Sequence, residues 1–188
     1  FDANPGTEPG KTLSIEPYAT ISYEIYERLG CVPDAVATPV GNGTTLAGLH
    51  SGVKMLRKEG KISKLPAMIA VGTPGGNPVV KCVLEKRKKI IQLRPEEVVE
   101  TDINEPMVSW ICLDGQEALD AVWESSGYAT YVKDSEMLAM SNNLLKEEGL
   151  SVLPASAASL VAIQNYITEK QLERGLKLVA LLTARNPY

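Results

Sequence analysis

The sequence predicts an α/β fold with a mainly parallel β-sheet. The prediction rests on three observations. Helical and strand-like patterns alternate about five times along the chain, the connections between them are short, and the strand-like runs are short and apolar, as in parallel strands buried on both faces. A chain of 188 residues forms one such domain and is long enough to bury a substantial core.

The chain divides into a short lead-in and one domain. Residues 1–11 are rich in proline and glycine, so we predict an irregular lead-in there. Residues 12–188 form the α/β domain, and no linker divides it. Because the sequence starts at Phe1 rather than methionine and stops at Tyr188, directly after an apolar run, we expect it to be a piece of a longer polypeptide.

The domain begins with a helix and a strand. Ile21, Ile25 and Leu29 recur every four residues, which places them on one face of a helix over residues 19–29. The glycine that follows is a typical helix C-cap. Residues 35–40 are largely apolar, and we predict a buried parallel strand there.

The remaining elements follow from the same patterns and from the glycines and prolines that separate them. Helices are predicted over residues 46–58, 79–88, 116–124, 134–148 and 155–170. Strands are predicted over residues 67–71, 98–99, 129–132, 150–153 and 178–182.

The charge balance argues against a nucleic-acid partner. The chain has 19 Lys and Arg residues against 23 Asp and Glu residues, a net charge of −4, whereas nucleic-acid-binding domains carry a basic face. Its one basic cluster, residues 86–89, lies at the end of a predicted helix, where Lys and Arg suit the helix dipole and stay solvated. No apolar run reaches the ~18 residues of a membrane span, so we expect no membrane partner.

The cysteines and the histidine predict neither disulfides nor a metal site. Cys31, Cys82 and Cys112 are odd in number and form no CxxC pair. We therefore expect a reduced, cytoplasmic protein. His50 is the single histidine and has no cysteine pair beside it, so we expect no zinc site.

One loop carries the chemistry that the sequence indicates. Gly41, Asn42, Gly43, Thr44 and Thr45 lie between a predicted strand and a predicted helix. In parallel α/β sheets, ligands bind beyond the carboxyl ends of the strands, and a helix N-terminus offers unpaired N–H groups to an anion. Glycines let the backbone approach a ligand, and asparagine and threonine side chains donate further hydrogen bonds. The loop is therefore a candidate phosphate site.

This loop fits a single phosphate monoester better than a nucleotide. A Walker A loop needs a lysine before the helix, and this loop has none. A dinucleotide-binding loop needs the pattern GxGxxG, whereas the third glycine here, Gly48, comes two places late. An ordinary nucleotide-binding domain is thus a disfavoured alternative. A second alternative is a glycine-rich turn that binds no ligand.

The segment PVGNGTTLAG around this loop strongly resembles the phosphate-binding loop of pyridoxal-phosphate enzymes of the tryptophan synthase β type (fold type II), with threonine synthase and its relatives nearest. Further segments agree with that family in order and spacing: SIEPYATISYEIYERLG, GGNPVVK, DGQEALDAVWES, VKDSEMLAMSNNLLKEEGL, VLPASAASLVAI and LVALLTARNPY. The resemblance covers residues 14–183, and it identifies the chain as the C-terminal portion of such an enzyme.

The resemblance implies a three-layer fold, in which a mainly parallel twisted sheet lies between helices on both faces, and pyridoxal 5′-phosphate as the cofactor. It implies that residues 41–45 hold the cofactor phosphate and that Thr183 faces the pyridine nitrogen. Ser156 looks structural by the same comparison. The family's lysine that binds the cofactor covalently lies in a first domain, before the phosphate loop. The resemblance therefore places no catalytic residue in this chain, and we expect the chain to be inactive alone.

The resemblance also implies the activity of the complete enzyme, a β- or γ-elimination or replacement on an amino-acid substrate, with O-phosphohomoserine converted to threonine as the first hypothesis. Threonine dehydratase and cysteine synthase relatives are alternatives. The implied partners are the N-terminal portion of the same enzyme and a second copy in a homodimer. Pro17 and Pro106 stand at usual glycines and favour a further alternative, a non-catalytic regulatory or scaffold domain that keeps an anion site. Leu153, at a usual glutamate, also departs from the family pattern.

Overall fold

The computed structural model describes the backbone of residues 8–186 and the side chains of residues 14–186. Its helices are α1 (Glu8–Leu29), α2 (Thr44–Lys58), α3 (Pro78–Leu84), α4 (Gly115–Glu124), α5 (Asp134–Glu148) and α6 (Pro154–Lys170). Its strands are β1 (Ala35–Pro39), β2 (Ala67–Gly72), β3 (Tyr128–Tyr131) and β4 (Leu178–Ala180). Two short 3-10 turns, Pro95–Glu97 and Glu105–Met107, lie between α3 and α4.

The four strands of the described residues pair in the order β3-β2-β1-β4, and every pair is parallel. Ala37 of β1 lies beside Ile69 of β2 on one side and Ala180 of β4 on the other. The predicted α/β fold with a mainly parallel sheet is confirmed. Because parallel strands share one direction, the loops after their carboxyl ends meet at one edge of the sheet.

The strands bury both of their faces, because successive side chains point to opposite sides of a sheet. Met68 packs in one core with Leu119 of α4, and the same core contains residues of α2 and α3. Its neighbour Ile69 packs in the other core with Met137 of α5 and Ala158 of α6. The sheet therefore lies between two helical layers, as the family resemblance implied.

α1 packs closely on α2 at two glycines. A Cβ atom at Gly48 would overlap the Cβ of Tyr18, and a Cβ atom at Gly52 would overlap the carbonyl oxygen of Ala19. Larger residues at either position would push the two helices apart. This contact fixes α2, whose first turn forms the candidate site.

α1 is longer than the sequence predicted. It starts at Glu8, so residues 8–11 of the predicted irregular lead-in are helical, while residues 1–7 lie outside the described residues. Pro9 falls in the first turn, where no intrahelical hydrogen bond is lost. Pro17 lies inside the helix, where it has no N–H to donate to the preceding turn.

Two predicted strands are wrong. Residues 98–99 follow a 3-10 turn, and the Val99 N–H donates to a carbonyl in the loop after β2 instead of joining a strand ladder. Of residues 150–153, only Val152 pairs, in an isolated antiparallel bridge with the segment after β4. α6 begins directly after that bridge, so no length of chain is left for a strand.

Besides α1, two helices differ from their predicted bounds by more than one residue at an end. α2 starts at Thr44, two residues early, because Gly43 takes the positive φ of 96° that turns the chain into the helix. α3 ends at Leu84, and Lys86 adopts a left-handed φ of 57°. The basic cluster at residues 86–89 therefore follows the helix instead of ending it, and its side chains are exposed.

Candidate functional site

The six residues that the sequence predicted to bind a cofactor all line one cavity. They are Gly41, Asn42, Gly43, Thr44, Thr45 and Thr183. The cavity has a volume of about 250 Å³. β1 and β4 are parallel neighbours, so the loop after β1 and the residues after β4 come together beyond the carboxyl ends of the strands.

The rest of the cavity wall comes from α1, the second 3-10 turn and the start of α6, which contribute Tyr18, Pro106 and Ser156 among others. Pro106 and Leu153, which depart from the family pattern, both belong to this wall. None of the described residues that line the cavity is a lysine or an arginine. An anion bound here is therefore stabilised by N–H groups and hydroxyls rather than by a positively charged side chain.

The first turn of α2 carries N–H groups that the helix itself does not use. Its first intrahelical hydrogen bond runs from the Ala47 N–H to the Gly43 carbonyl, 3.0 Å. The N–H groups of Thr44, Thr45 and Leu46 precede that bond and have no acceptor within the helix. The N-cap residue Gly43 makes no side-chain capping bond either. This helix start can accept an anion.

Gly43 is required at the turn before α2 for two separate reasons. Its φ of 96° lies in the region that favours glycine. A Cβ atom there would lie 2.8 Å from the Asp114 carbonyl oxygen and 2.9 Å from the Cβ of Ala118. A side chain would therefore displace either α4 or the first turn of α2.

Asn77 connects the loop to the neighbouring helix. The side chain is buried, and its Nδ2 donates to the carbonyls of Val40, 2.7 Å, and Gly41, 2.9 Å. Its Oδ1 accepts from the N–H groups of Val79, 3.0 Å, and Val80, 3.4 Å, at the start of α3. One side chain thus caps α3 and holds the loop before α2 in place.

Cys112 holds the same loop from another direction. Its Sγ donates to the Gly41 carbonyl across 3.0 Å. Burial raises the pKa of this thiol to about 12, so the proton that makes the bond is retained at neutral pH. The cysteine acts here as a small buried donor, and its position gives no sign of a nucleophile.

Two side chains of the loop contact the segment before α4. The Thr44 hydroxyl donates to Asp114 Oδ2 across 2.6 Å, and the Asp114 N–H donates to the Asn42 carbonyl, 3.1 Å. Asn42 Oδ1 accepts from the Ser109 hydroxyl, 3.3 Å. The Thr44 hydroxyl proton, which the sequence assigned to an anion, is therefore engaged by Asp114, and Thr44 offers its backbone N–H instead.

Thr183 contacts a second hydroxyl that the sequence treated as structural. The Oγ atoms of Ser156 and Thr183 are 3.0 Å apart, and the Ala184 N–H donates to Ser156 Oγ across 2.9 Å. Either hydroxyl can be the donor between them, and where Ser156 donates, the Thr183 proton is directed elsewhere. Ser156 therefore belongs to the site as well as to the helix start.

The sequence prediction missed Asn77, Cys112 and Asp114 as supports of the loop. An asparagine directly before a proline is a typical helix N-cap signal, so the cap at Asn77 was detectable. Its second role, towards the loop before α2, depends on contacts over 36 and 37 residues of sequence and had no local signal.

Comparison with known proteins gives the family. Residues 3–184 match the model of the family described as "Pyridoxal-phosphate dependent enzyme". The chain is 32% identical over 172 residues to the threonine synthase of Methanocaldococcus jannaschii, covering 90% of this chain and 41% of the relative. It is 32% identical over 178 residues to the threonine synthase of Methanosarcina acetivorans, covering 90% and 42%. The chain thus spans about two fifths of the length of these curated relatives.

Solved structures share the fold. The L-serine ammonia-lyase of Rhizomucor miehei superposes with a TM-score of 0.71 at 19% identity, covering 90% of this chain and 51% of the other. The serine racemase of Dictyostelium discoideum gives a TM-score of 0.64 at 19% identity, covering 91% and 49%. At these identities the likeness establishes the architecture alone.

The described residues contain no helix with the length and apolarity that a membrane span requires. The family match covers the loop after β1, the residues after β4 and nearly all of the chain between and around them. Pyridoxal phosphate is the cofactor of this family, and threonine synthases are among its members most similar to the chain. The resemblance seen in the sequence is confirmed, and the chain belongs to the pyridoxal-phosphate dependent enzymes of fold type II.

Proposed function

We propose that this chain is the part of a threonine-synthase-like enzyme that binds the phosphate of pyridoxal 5′-phosphate. The observation that carries the proposal is the uncapped start of α2, which lies in the wall of the same cavity as Thr183. A phosphate at this point would accept hydrogen bonds from N–H groups that the helix leaves unpaired. The residues present therefore fit the cofactor's phosphate.

In this proposal the loop at residues 41–45 binds the phosphate. The backbone N–H groups of the loop and the Thr45 hydroxyl donate to its oxygens, and the helix dipole contributes about half a positive charge. Asn77 and Cys112 hold the loop carbonyls, so the N–H groups stay directed at the cavity. The site is thus preorganised, and little conformational entropy is lost on binding.

Thr183 is proposed to meet the pyridine nitrogen. When bound, the cofactor supplies an electron sink for the reacting carbon of an amino-acid substrate. A neutral hydroxyl at the ring nitrogen leaves that nitrogen largely unprotonated and so moderates the electron withdrawal. The contact with Ser156 allows a Thr183 proton that points towards the ring, because the Ser156 hydroxyl can donate to Thr183 Oγ1.

The proposed reaction of the complete enzyme is a β- or γ-elimination or replacement, with O-phosphohomoserine converted to threonine. The similarity to threonine synthases over 90% of this chain supports it. No lysine is among the described residues that line the cavity. We therefore propose that the lysine to which the family attaches its cofactor lies in the N-terminal portion of the complete enzyme. This chain alone is then inactive.

Two alternatives rest on specific observations. A relative of threonine dehydratase or cysteine synthase would use the same scaffold, and an ammonia-lyase shares the fold. A non-catalytic regulatory or scaffold domain that keeps an anion site is favoured by Pro106 and Leu153, which place a rigid ring and an apolar side chain in the cavity wall.

The proposed partners are the rest of the enzyme, a second copy of the chain in a homodimer, and a small amino-acid substrate, and the proposed compartment is the cytoplasm. Cys31, Cys82 and Cys112 are all free thiols, as in a reducing compartment. Apolar side chains such as Val99 and Leu145 are more than half exposed, which favours burial against another polypeptide. Light scattering tests the association, and a clean monomer would contradict it.

Two ligands that share a phosphate test the assignment of the site. Inorganic phosphate reports on the loop, and 4′-deoxypyridoxine 5′-phosphate reports on the loop and the ring while lacking the aldehyde that reacts with surface lysines. By calorimetry, Thr183→Val should weaken binding of the ring compound about fivefold, which corresponds to the loss of one hydrogen bond. Binding of inorganic phosphate should be unchanged. Thr168→Val, at an exposed position of α6, is the matched control.

The outcomes separate the alternatives. Phosphate binding without any binding of the ring compound would favour the regulatory domain, and equal losses for both ligands in Thr183→Val would contradict the placement of the ring. The reaction itself is tested on the complete enzyme. Threonine formed from O-phosphohomoserine supports the synthase, whereas a 2-oxo acid formed from threonine supports the dehydratase alternative.

A further inference from the structure

A second cavity, of about 210 Å³, lies between α2 and α4 and shares no lining residue with the cofactor cavity. Its polar lining comes from one face of each helix. α2 contributes His50, Ser51 and Lys54, and α4 contributes Glu117, Asp120 and Glu124. Residues three and four apart in a helix lie on the same side, so both sets point into the space between the helices.

The charges of this second cavity favour a cation. Among the described residues that line it, the Asp120 and Glu124 carboxylates face one ammonium group, and Lys54 Nζ lies 3.3 Å from Glu124 Oε2. Among the described residues, the Asp120 carboxylate accepts a hydrogen bond from a neutral donor, the Gln116 amide, at 2.8 Å. The field in the cavity is therefore negative, and an anionic ligand is disfavoured.

His50 adds an unused hydrogen-bonding group. The side chain is 3% exposed, and its Nε2 makes no hydrogen bond to any residue that the structure describes, although Glu124 Oε2 lies 3.5 Å away. Burial, more than the nearby Lys54, lowers the pKa of His50 to about 4, so the imidazole is neutral at pH 7. Buried polar atoms are nearly always paired, and an unpaired ring nitrogen at a cavity wall indicates that a partner is missing.

We propose that this second cavity binds a small molecule carrying a primary ammonium group, which donates its N–H groups to His50 Nε2 and to the carboxylates of Asp120 and Glu124. An ammonium group provides three donors and a positive charge, which match one neutral acceptor and a negative wall. The space equals that of about seven waters at ~30 Å³ each, enough for an amine of a few carbons.

A metal ion does not fit these residues equally well. Among the described residues, no group of three or more His, Cys, Asp and Glu side chains is arranged to hold one. The acceptors of an ammonium group also surround one atom, but hydrogen bonds place them at about 2.9 Å from the nitrogen, farther apart than the ligands of a metal ion at about 2.0–2.6 Å. The proposal is independent of the cofactor site, since its ligand carries no phosphate.

Calorimetry of the 188-residue chain with n-butylammonium chloride at pH 7.5 tests this site. Butyltrimethylammonium chloride has the same charge but no N–H group. The chain should bind n-butylammonium saturably and the quaternary compound at least about fivefold more weakly, because each lost hydrogen bond weakens binding by that order. No saturable binding, or equal binding of the two cations, would overturn the proposal.

Three variants locate the binding. Asp120→Asn removes a charge, and His50→Leu removes the acceptor while keeping the volume; each should weaken n-butylammonium binding at least about fivefold. Glu148→Gln, at an exposed carboxylate of α5, should leave it unchanged. Circular dichroism confirms that each variant is folded. Unchanged affinity in both cavity variants, with folding intact, would contradict the site.

Discussion

The starts of α2 and α3 occupy equivalent places in the fold and are built in opposite ways. Each helix follows the carboxyl end of one of two paired parallel strands. α3 is closed by Asn77, whose Oδ1 accepts from the N–H groups of Val79 and Val80, while Pro78 has no N–H to satisfy. α2 is opened by Gly43, which makes no side-chain cap.

The difference shows how one architecture separates structure from binding. A side-chain cap stabilises a helix by about 1 kcal/mol and occupies the N–H groups that an anion would need. A glycine gives up that stability and leaves the N–H groups available. Asn77 links the two helix starts. Its Oδ1 caps α3, and its Nδ2 donates to the carbonyls of Val40 and Gly41 before α2.

The largest effect is expected at the start of α3, which Asn77 caps. Asn77→Ala removes a cap and leaves the buried carbonyls of Val40 and Gly41 without their donors, so the free energy of unfolding should fall by about 3 kcal/mol. Urea denaturation measures this loss. Asn143→Ala, at an exposed position of α5, is the control and should change stability by less than about 0.5 kcal/mol. A loss of that small size in Asn77→Ala would show that the two starts are not coupled.

A smaller effect is expected at the start of α2, which has no side-chain cap. In Gly43→Ala, the new Cβ would meet the Asp114 carbonyl and the Cβ of Ala118, which moves the N–H groups of α2. Affinity for inorganic phosphate should fall at least about tenfold, or 1.4 kcal/mol. Gly60→Ala, beyond the other end of α2, has a similar positive φ and open space around its Cβ. Both variants carry the backbone strain, so equal phosphate affinity in the two would contradict the role of Gly43.

The smallest effect is expected from the thiol that supports the loop. Cys112→Ala removes a weak donor to the Gly41 carbonyl, and phosphate affinity should fall about twofold while stability falls by about 1 kcal/mol. Cys31→Ala, at a partly exposed thiol before β1 and thus at the other end of that strand from the loop, should leave phosphate affinity unchanged. A tenfold loss in Cys112→Ala would mean that the thiol, rather than Asn77, sets the loop conformation.

What the sequence predicted well has local causes. Apolar periodicity and glycine placement gave the α/β alternation, and the pattern of glycine, asparagine and threonine gave the loop at residues 41–45. The two wrong strands, at residues 98–99 and 150–153, are short apolar segments. Turns and helices flank them closely and leave no length of chain that could pair with a strand.

What the sequence could not give depends on contacts between distant segments. Cys112 meets Gly41 across 71 residues, and Ser156 meets Thr183 across 27 residues. The engagement of the Thr44 hydroxyl by Asp114, 70 residues away, likewise follows from the packing of α4 against α2. Residue types and spacing indicate that a loop can bind phosphate; only the fold shows which of its donors are already occupied.

The start of α2 presents free N–H groups to an oxyanion, and the start of α3 does not. A titration with inorganic phosphate, followed by amide chemical shifts, compares the two helices in one experiment. We expect saturable shifts at the amides of Thr44, Thr45 and Leu46, with those of Val79 and Val80 unmoved. Shifts of similar size at both helix starts, or none at α2, would contradict this expectation.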